Sequence, residues 1–334
     1  MVFGITAGDA CGIGPEVILK AFHRKEITHP VVVYGDMDIL KYYDELLGYE
    51  VPLCRVSDPE RFRDGFLNVV DAGILRREDL TIGRVNGASG AAAREYVIAA
   101  ARAALSGRIA AMVTLPVNKE ATRLSDPGFV GHTELIGNLC GVRDVTIMLV
   151  SDQLTVTHVS THVSLRGAIE SVRKERICTI IRLTWEALSR LKRNPRIAVA
   201  GLNPHAGENG LFGEEDREEI LPAVAWAQAR GMDVEGPIPP DTVFYLAVRR
   251  QRFDAVVCMY HDQGHIPLKL LDFEGGVNVA LGLPIIRTSV DHGTAFDIAG
   301  KGIASTVSLV RALDYAARLS QGPTPQSQEV PPSA

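Results

Sequence analysis

The densest chemistry in this 334-residue chain lies near its end, in Tyr260-His-Asp-Gln-Gly-His-Ile-Pro-Leu-Lys269. It runs on through Gly275-Gly-Val-Asn278, Pro284-Ile-Ile-Arg287 and Asp291-His-Gly-Thr-Ala-Phe-Asp-Ile-Ala-Gly-Lys-Gly302. About forty residues there gather three histidines, four aspartates, two lysines, one arginine and many glycines. They follow Ala255-Val-Val-Cys-Met259, an apolar run that reads as a buried strand. In parallel α/β sheets a ligand meets the residues just beyond the carboxyl ends of the strands, so this crowding marks a site.

Two other segments deliver histidines in the same way. Thr157-His-Val-Ser-Thr-His162-Val reads as the continuation of a strand that puts His158 and His162 on one face, and His205 follows the strand Arg196-Ile-Ala-Val-Ala-Gly201. His162, His205 and His261 are therefore three imidazoles at or near strand ends. With open positions left over, such a set suits a divalent cation such as Zn, Co, Ni or Mn that binds substrate oxygens. They lie far apart in sequence and no local ligand motif joins them, so three satisfied structural histidines are the other reading. Gly131-His-Thr-Glu134 heads a helix, where free backbone amides and side-chain donors can hold an anion.

The elements that must position these residues alternate. Val2–Ala7, His29–Gly35, Phe66–Asp71 and Ala110–Leu115 read as strands, with helices between them that include Ser89–Leu105, and this alternation indicates a largely parallel sheet covered on both faces. Gly8-Asp-Ala-Cys-Gly-Ile-Gly-Pro-Glu16 is a tight turn into a helix beginning near Pro15. Its spacing is wrong for the dinucleotide fingerprint GxGxxG. Asn118 and Lys119 sit where the strand ending at Leu115 gives way, facing the crevice or, for Lys119, opening a solvated helix. Val145–Ser160 reads as two strands joined at Asp152-Gln153, an antiparallel hairpin unlike what precedes it, and a single helix is expected over Leu165–Leu191.

Composition bounds the rest. Hydrophobic residues make up 46% and charged residues 22% of the chain, which describes a globular protein with a large core, and the net charge of -5 argues against nucleic acid as partner. Five cysteines without paired spacing fit a reducing cytoplasm. No export signal or membrane span is read from the sequence. Gln321–Ala334 is rich in Pro, Ser and Gln and is expected to be a disordered tail.

Taken together, Gly131-His-Thr-Glu134, Thr161-His162, Asn203-Pro-His-Ala-Gly-Glu208, Pro240-Asp-Thr242, Tyr260-His-Asp-Gln-Gly264, Gly276-Val-Asn278, Gly282-Leu-Pro284 and Arg287–Ala295 resemble the 4-hydroxythreonine-4-phosphate dehydrogenase (PdxA) family. The resemblance covers nearly the whole chain to about residue 320. The segment from Asp291 to Ala304 is also similar to the cofactor loop of isocitrate and isopropylmalate dehydrogenases, whose fold the family shares. The resemblance implies a two-lobed α/β fold with a mostly parallel sheet and an antiparallel element in the second lobe. Residues 1–128 and 276–320 would form the first lobe with the cofactor loop, and residues 129–275 the metal, substrate and dimerisation lobe.

Carried over residue by residue, the family pattern implies His162, His205 and His261 as ligands of one divalent metal (Zn, Co, Ni, Mn or Mg). It implies His132, Thr133, Lys269, Asn278 and Arg287 as contacts to a small phosphorylated substrate. The loop of His292, Gly293, Thr294, Ala295 and Asp297 would hold the adenosine side of NAD or NADP. A homodimer with metal ligands drawn from both subunits is implied. The family reaction oxidises a secondary alcohol and then releases carbon dioxide. Asp241 and Asp262 are candidates to take or relay the hydroxyl proton, or else to orient the histidines.

The sequence departs from the family's usual first turn at Ala10 and Cys11. Its His265-Ile-Pro-Leu-Lys269 and Asn209-Gly-Leu-Phe-Gly213 resemble more closely the branch acting on 4-phospho-D-threonate or 4-phospho-D-erythronate. 4-Hydroxythreonine-4-phosphate of vitamin B6 biosynthesis is the alternative substrate. An aromatic cis-dihydrodiol dehydrogenase and a non-catalytic metabolite binder stand behind both.

Overall fold

A computed structural model describes residues 1–322, and the tail expected over residues 321–334 falls almost wholly outside them. In chain order the elements are β1 Phe3–Thr6, α1 Gly14–His23, β2 Val31–Gly35, α2 Met37–Leu47, β3 Leu53–Val56, β4 Leu67–Asp71, α3 Gly87–Leu105 and β5 Met112–Thr114. There follow α4 Lys119–Arg123, α5 His132–Cys140, β6 Thr146–Val150, β7 Thr155–His158, α6 Leu165–Glu170, α7 Lys174–Ser189 and β8 Arg196–Ala200. The chain then forms α8 Leu221–Gln228, β9 Asp233–Ile238, α9 Pro240–Val248, β10 Ala255–Cys258, α10 His261–Leu271, β11 Val277–Leu281, β12 Arg287–Val290 and α11 Val307–Gln321.

All twelve strands join one sheet in the order β3-β4-β2-β1-β5-β12-β11-β6-β7-β10-β8-β9. Pairing is parallel except where β11 meets β12 and β6, and where β6 meets β7. The central strands, such as Val31-Val-Val-Tyr-Gly35 and Ala255-Val-Val-Cys258, are buried along their whole length. That is the signature of a parallel sheet covered on both faces. The main apolar core runs from Phe3 to Leu319 through most elements, and a smaller cluster around Leu149, Val256 and Leu268 lies under α9 and α10.

The predicted hairpin is present, but its second strand stops at His158. The neighbouring β10 also ends opposite that point, its Cys258 paired with His158. Beyond it the Ser164 side chain accepts the Gly167 amide to start α6, and the chain must turn to reach that cap. His162 therefore stands in a bend, and the expected shared strand face with His158 does not form.

The single helix expected over Leu165–Leu191 is two helices. Ser171 turns its hydroxyl back to the Gly167 carbonyl (2.6 Å), and Glu219 accepts the Lys174 amide (2.7 Å) at the new start. Strand β3 was missed, because a half-exposed edge strand reading Leu-Cys-Arg-Val lacks an apolar run. Glycine is required at Gly8, where φ is +70 and a Cβ would meet the Pro116 carbonyl. No described helix is long and apolar enough to cross a membrane.

Candidate active site

Strands β5 and β12 end at a cleft of about 670 Å³. Asn278 on β11 and Arg287 on β12 line it from the sheet, and His132 and Thr133 line it from the first turn of α5. His162, His292 and Gly293 line it from loops. Seven residues singled out from sequence thus share one cavity.

Arg287 reaches forward along its strand and donates to Thr114 Oγ1 from Nε (3.2 Å) and Nη2 (2.7 Å). It is only 3% exposed. Burial lowers its pKa to about 10, against a smaller opposing pull from Glu134. Among the described residues no carboxylate lies within ion-pair distance of it. The His132 residue is partly accessible, but its Nε2 is sealed and has no partner, and the Asn278 Oδ1 is likewise buried and unpartnered. Burial, then the charges of Arg287 and Lys119, lower the His132 pKa to about 3, so its ring is neutral at ordinary pH. A buried guanidinium beside polar atoms without partners is an arrangement that an anionic, hydroxylated ligand satisfies.

A cluster of imidazoles adjoins the cleft. The rings of His162 and His261 stand 5.8 Å apart, and His261 stacks on His265 at 3.6 Å. His158, with no exposed surface and neither ring nitrogen bonded, lies 4.7 Å from His265. The Asp262 carboxylate accepts from His261 Nδ1 at 2.7 Å.

His205 does not join this cluster. It opens a run of five left-handed residues, His205–Asn209, with φ between 42 and 78. Among the described residues no three His, Cys, Asp or Glu side chains are placed to hold one metal ion. Asp241, in the first turn of α9, has a hydroxyl contact only from Thr242 at 3.5 Å. Lys269 pairs with Asp291 (3.0 Å) instead of entering the cleft. In the loop after β12, the Thr294 carbonyl accepts the Ile13 amide, Ala295 has φ 43, and Asp297 is exposed.

Three cleft residues stood outside the predicted contacts. His158 was expected only to share a strand face with His162. Arg176 falls within the helix expected over Leu165–Leu191, yet its side chain turns to the Val159 carbonyl (3.1 Å) and lines the cleft. Lys119 also lines the cleft, as its place after a buried strand had hinted.

A family model described as "Pyridoxal phosphate biosynthetic protein PdxA" matches residues 26–316. The chain belongs to the PdxA family. A D-threonate 4-phosphate dehydrogenase of Cupriavidus necator is 47% identical over 326 residues, which is 96% of this chain and 97% of that one. The crystal structure of a 4-hydroxythreonine-4-phosphate dehydrogenase from Klebsiella pneumoniae superposes with a TM-score of 0.88 at 42% identity, covering 96% of this chain and 99% of the other. A beta-decarboxylating dehydrogenase of Thermococcus kodakarensis shares the fold at 17% identity, with a TM-score of 0.50 over 96% of this chain and 87% of that one. This PdxA-family chain is a dehydrogenase.

Proposed function

We propose that this PdxA-family chain is a metal-assisted, NAD(P)-dependent enzyme that oxidises and decarboxylates a small 4-phosphorylated hydroxy acid, best matched by 4-phospho-D-threonate or 4-phospho-D-erythronate. The observation that carries the reading is Arg287, buried without a carboxylate partner beside His132 Nε2 and Asn278 Oδ1. A guanidinium taken out of water is costly unless an anion replaces the water, and a phosphate brings about -1.5 to -2 of charge and three acceptor oxygens. Arg287 and neutral His132 donate to it, with Thr133 at its edge. Asn278 Oδ1 can only accept, which assigns it to a substrate hydroxyl. The naming of the Cupriavidus relative supports the 2-hydroxy acid.

In the reaction the secondary alcohol loses one hydride and one proton, and the β-keto acid so formed loses carbon dioxide. When bound, a nicotinamide accepts the hydride and a divalent cation polarises the alcohol oxygen. Partial burial, then the charges of Lys119 and His261, hold the His162 pKa below its usual range, which leaves a lone pair for metal. Asp262, bonded to His261 Nδ1, leaves Nε2 as the ligating atom and so acts by orientation. Asp241, without a histidine partner, is the carboxylate left to accept the hydroxyl proton.

His162 and His261 supply two neighbouring imidazoles, and His205 stands apart from them in the same chain. Helix α10 also exposes Ile266 and Leu270 one turn apart, and Phe273 stands exposed just beyond its end. Both features support a homodimer in which His205 comes from the second copy. His292, Gly293, Thr294, Ala295 and Asp297 would hold the adenosine side of the dinucleotide.

The same phosphate contacts serve 4-hydroxythreonine-4-phosphate equally well, and the naming of the Klebsiella structure favours that second reading. A cis-dihydrodiol has no phosphate for Arg287. The test is stoichiometry: purified, metal-supplemented enzyme should release one carbon dioxide per NADH or NADPH formed. If no phosphorylated hydroxy acid reduces either nucleotide while metal and acid together still raise the melting temperature, the chain is a metabolite binder.

A further inference from the structure

The stretch between β12 and α11 contains no helix or strand, yet its backbone is tied to one place. The Ile13 amide, in the turn after β1, donates to the Thr294 carbonyl at 3.1 Å. A Cβ on Gly12 would stand 2.8 Å from that same oxygen, so turn and loop touch through a position that only glycine fits. Two helical turns on, Lys20 sends its Nζ to the carbonyls of Gly302 (3.0 Å) and Ala304 (2.7 Å). Glu16 accepts the Ala304 amide at 2.8 Å. Glu16 has no exposed surface and Lys20 only 7%.

Burying charged side chains is costly unless hydrogen bonds replace their water. Here the replacing bonds of Lys20 go to backbone at the far end of the loop, as does one oxygen of Glu16. The turn is itself rigid. Asp9 Oδ1 accepts the Cys11 amide (2.9 Å) and the Ser89 hydroxyl, and the Tyr43 hydroxyl bonds the Ala10 carbonyl (2.9 Å). Residues 292–301 are thus slung between anchors on one rigid unit, beside the point where connections leave β1 toward β2 on one side and reach β5 on the other. Crevices at such a point are where nucleotides bind in open α/β sheets.

We propose that Gly12, Glu16 and Lys20 are positioning residues for the dinucleotide, acting by fixing the backbone of residues 292–301. This rests on the reading of that loop as the nucleotide site. Hydrogen exchange with and without NAD or NADP tests the reading first. If nucleotide leaves residues 292–301 unprotected, both the reading and this inference fall.

With protection seen, Lys20→Met is expected to raise the nucleotide Kd and KM at least tenfold while KM for the phosphorylated acid and the affinity for Zn²⁺ stay within twofold. Glu16→Gln, which keeps an acceptor at Oε1, should hold nucleotide affinity within threefold. If Lys20→Met does not fold, Gly12→Ala, which displaces Thr294 without removing a charge, is read in the same way. Unchanged nucleotide affinity, or nucleotide and acid affinities falling in step, would overturn the inference.

Discussion

Arg287 and Thr114 are joined by two hydrogen bonds, from Nε at 3.2 Å and from Nη2 at 2.7 Å, across adjacent parallel strands at the floor of the cleft. The hydroxyl fixes the plane of the guanidinium but brings no charge to it. If a ligand phosphate supplies that charge, as proposed, Arg287→Met should lower kcat/KM for the phosphorylated acid about hundredfold, or about 2.7 kcal/mol. Inorganic phosphate should inhibit the native enzyme competitively and lose that effect in the variant. Equal inhibition of both would remove Arg287 from the phosphate site.

Metal sites shared across a two-fold axis make a statistical prediction. His205→Ala and His261→Ala should each be inactive alone. Mixed and allowed to exchange subunits, they should recover about a quarter of native activity, because half the dimers are hybrid and each hybrid keeps one intact site. No recovery after proven exchange would place all three histidines in one chain.

The His132 ring gives stability a pH slope. Its pKa is about 3 in the folded protein, below the ordinary value of 6.5. As pH falls below about 6.5 the unfolded chain takes up a proton that the folded chain refuses, so stability is full above that pH and is lost toward pH 3. The slope is at most about 1.4 kcal/mol per pH unit. Urea unfolding of His132→Asn between pH 6 and 4 should be shallower by up to that amount, and parallel curves would show that the ring titrates normally.

Leu270 near the end of α10 and Phe273 just beyond it are 85% and 75% exposed in the single chain. Leu270→Glu with Phe273→Glu should yield a monomer by light scattering and abolish activity. Such exposed substitutions change monomer stability by only about 0.5 kcal/mol, so the folded spectrum should persist. A variant that remains a native-sized dimer would put the interface elsewhere.

Much of the architecture was legible because the signals were local. Buried runs such as Val31–Tyr34 and Ala255–Cys258 can hardly be anything but central strands, and Pro15 marks a helix start that the structure keeps. What failed depended on distant partners. The break after Glu170 needs Glu219 to cap Lys174, and the early end of β7 needs the end of β10 beside it. In the site, His132, Thr133, Asn278 and Arg287 converge as their motifs implied, whereas nothing in the helix expected over Leu165–Leu191 marked Arg176 for the cleft. Lys269 and His205 do not reach the cleft from this chain alone.

The most direct measurement is the initial rate of NAD and NADP reduction by metal-supplemented enzyme on 4-phospho-D-threonate, 4-phospho-D-erythronate and 4-hydroxythreonine-4-phosphate side by side. Turnover of the phosphorylated sugar acids at least tenfold faster than the amino acid is the predicted result. Preference for the amino acid would contradict it and assign the cleft to the vitamin B6 precursor.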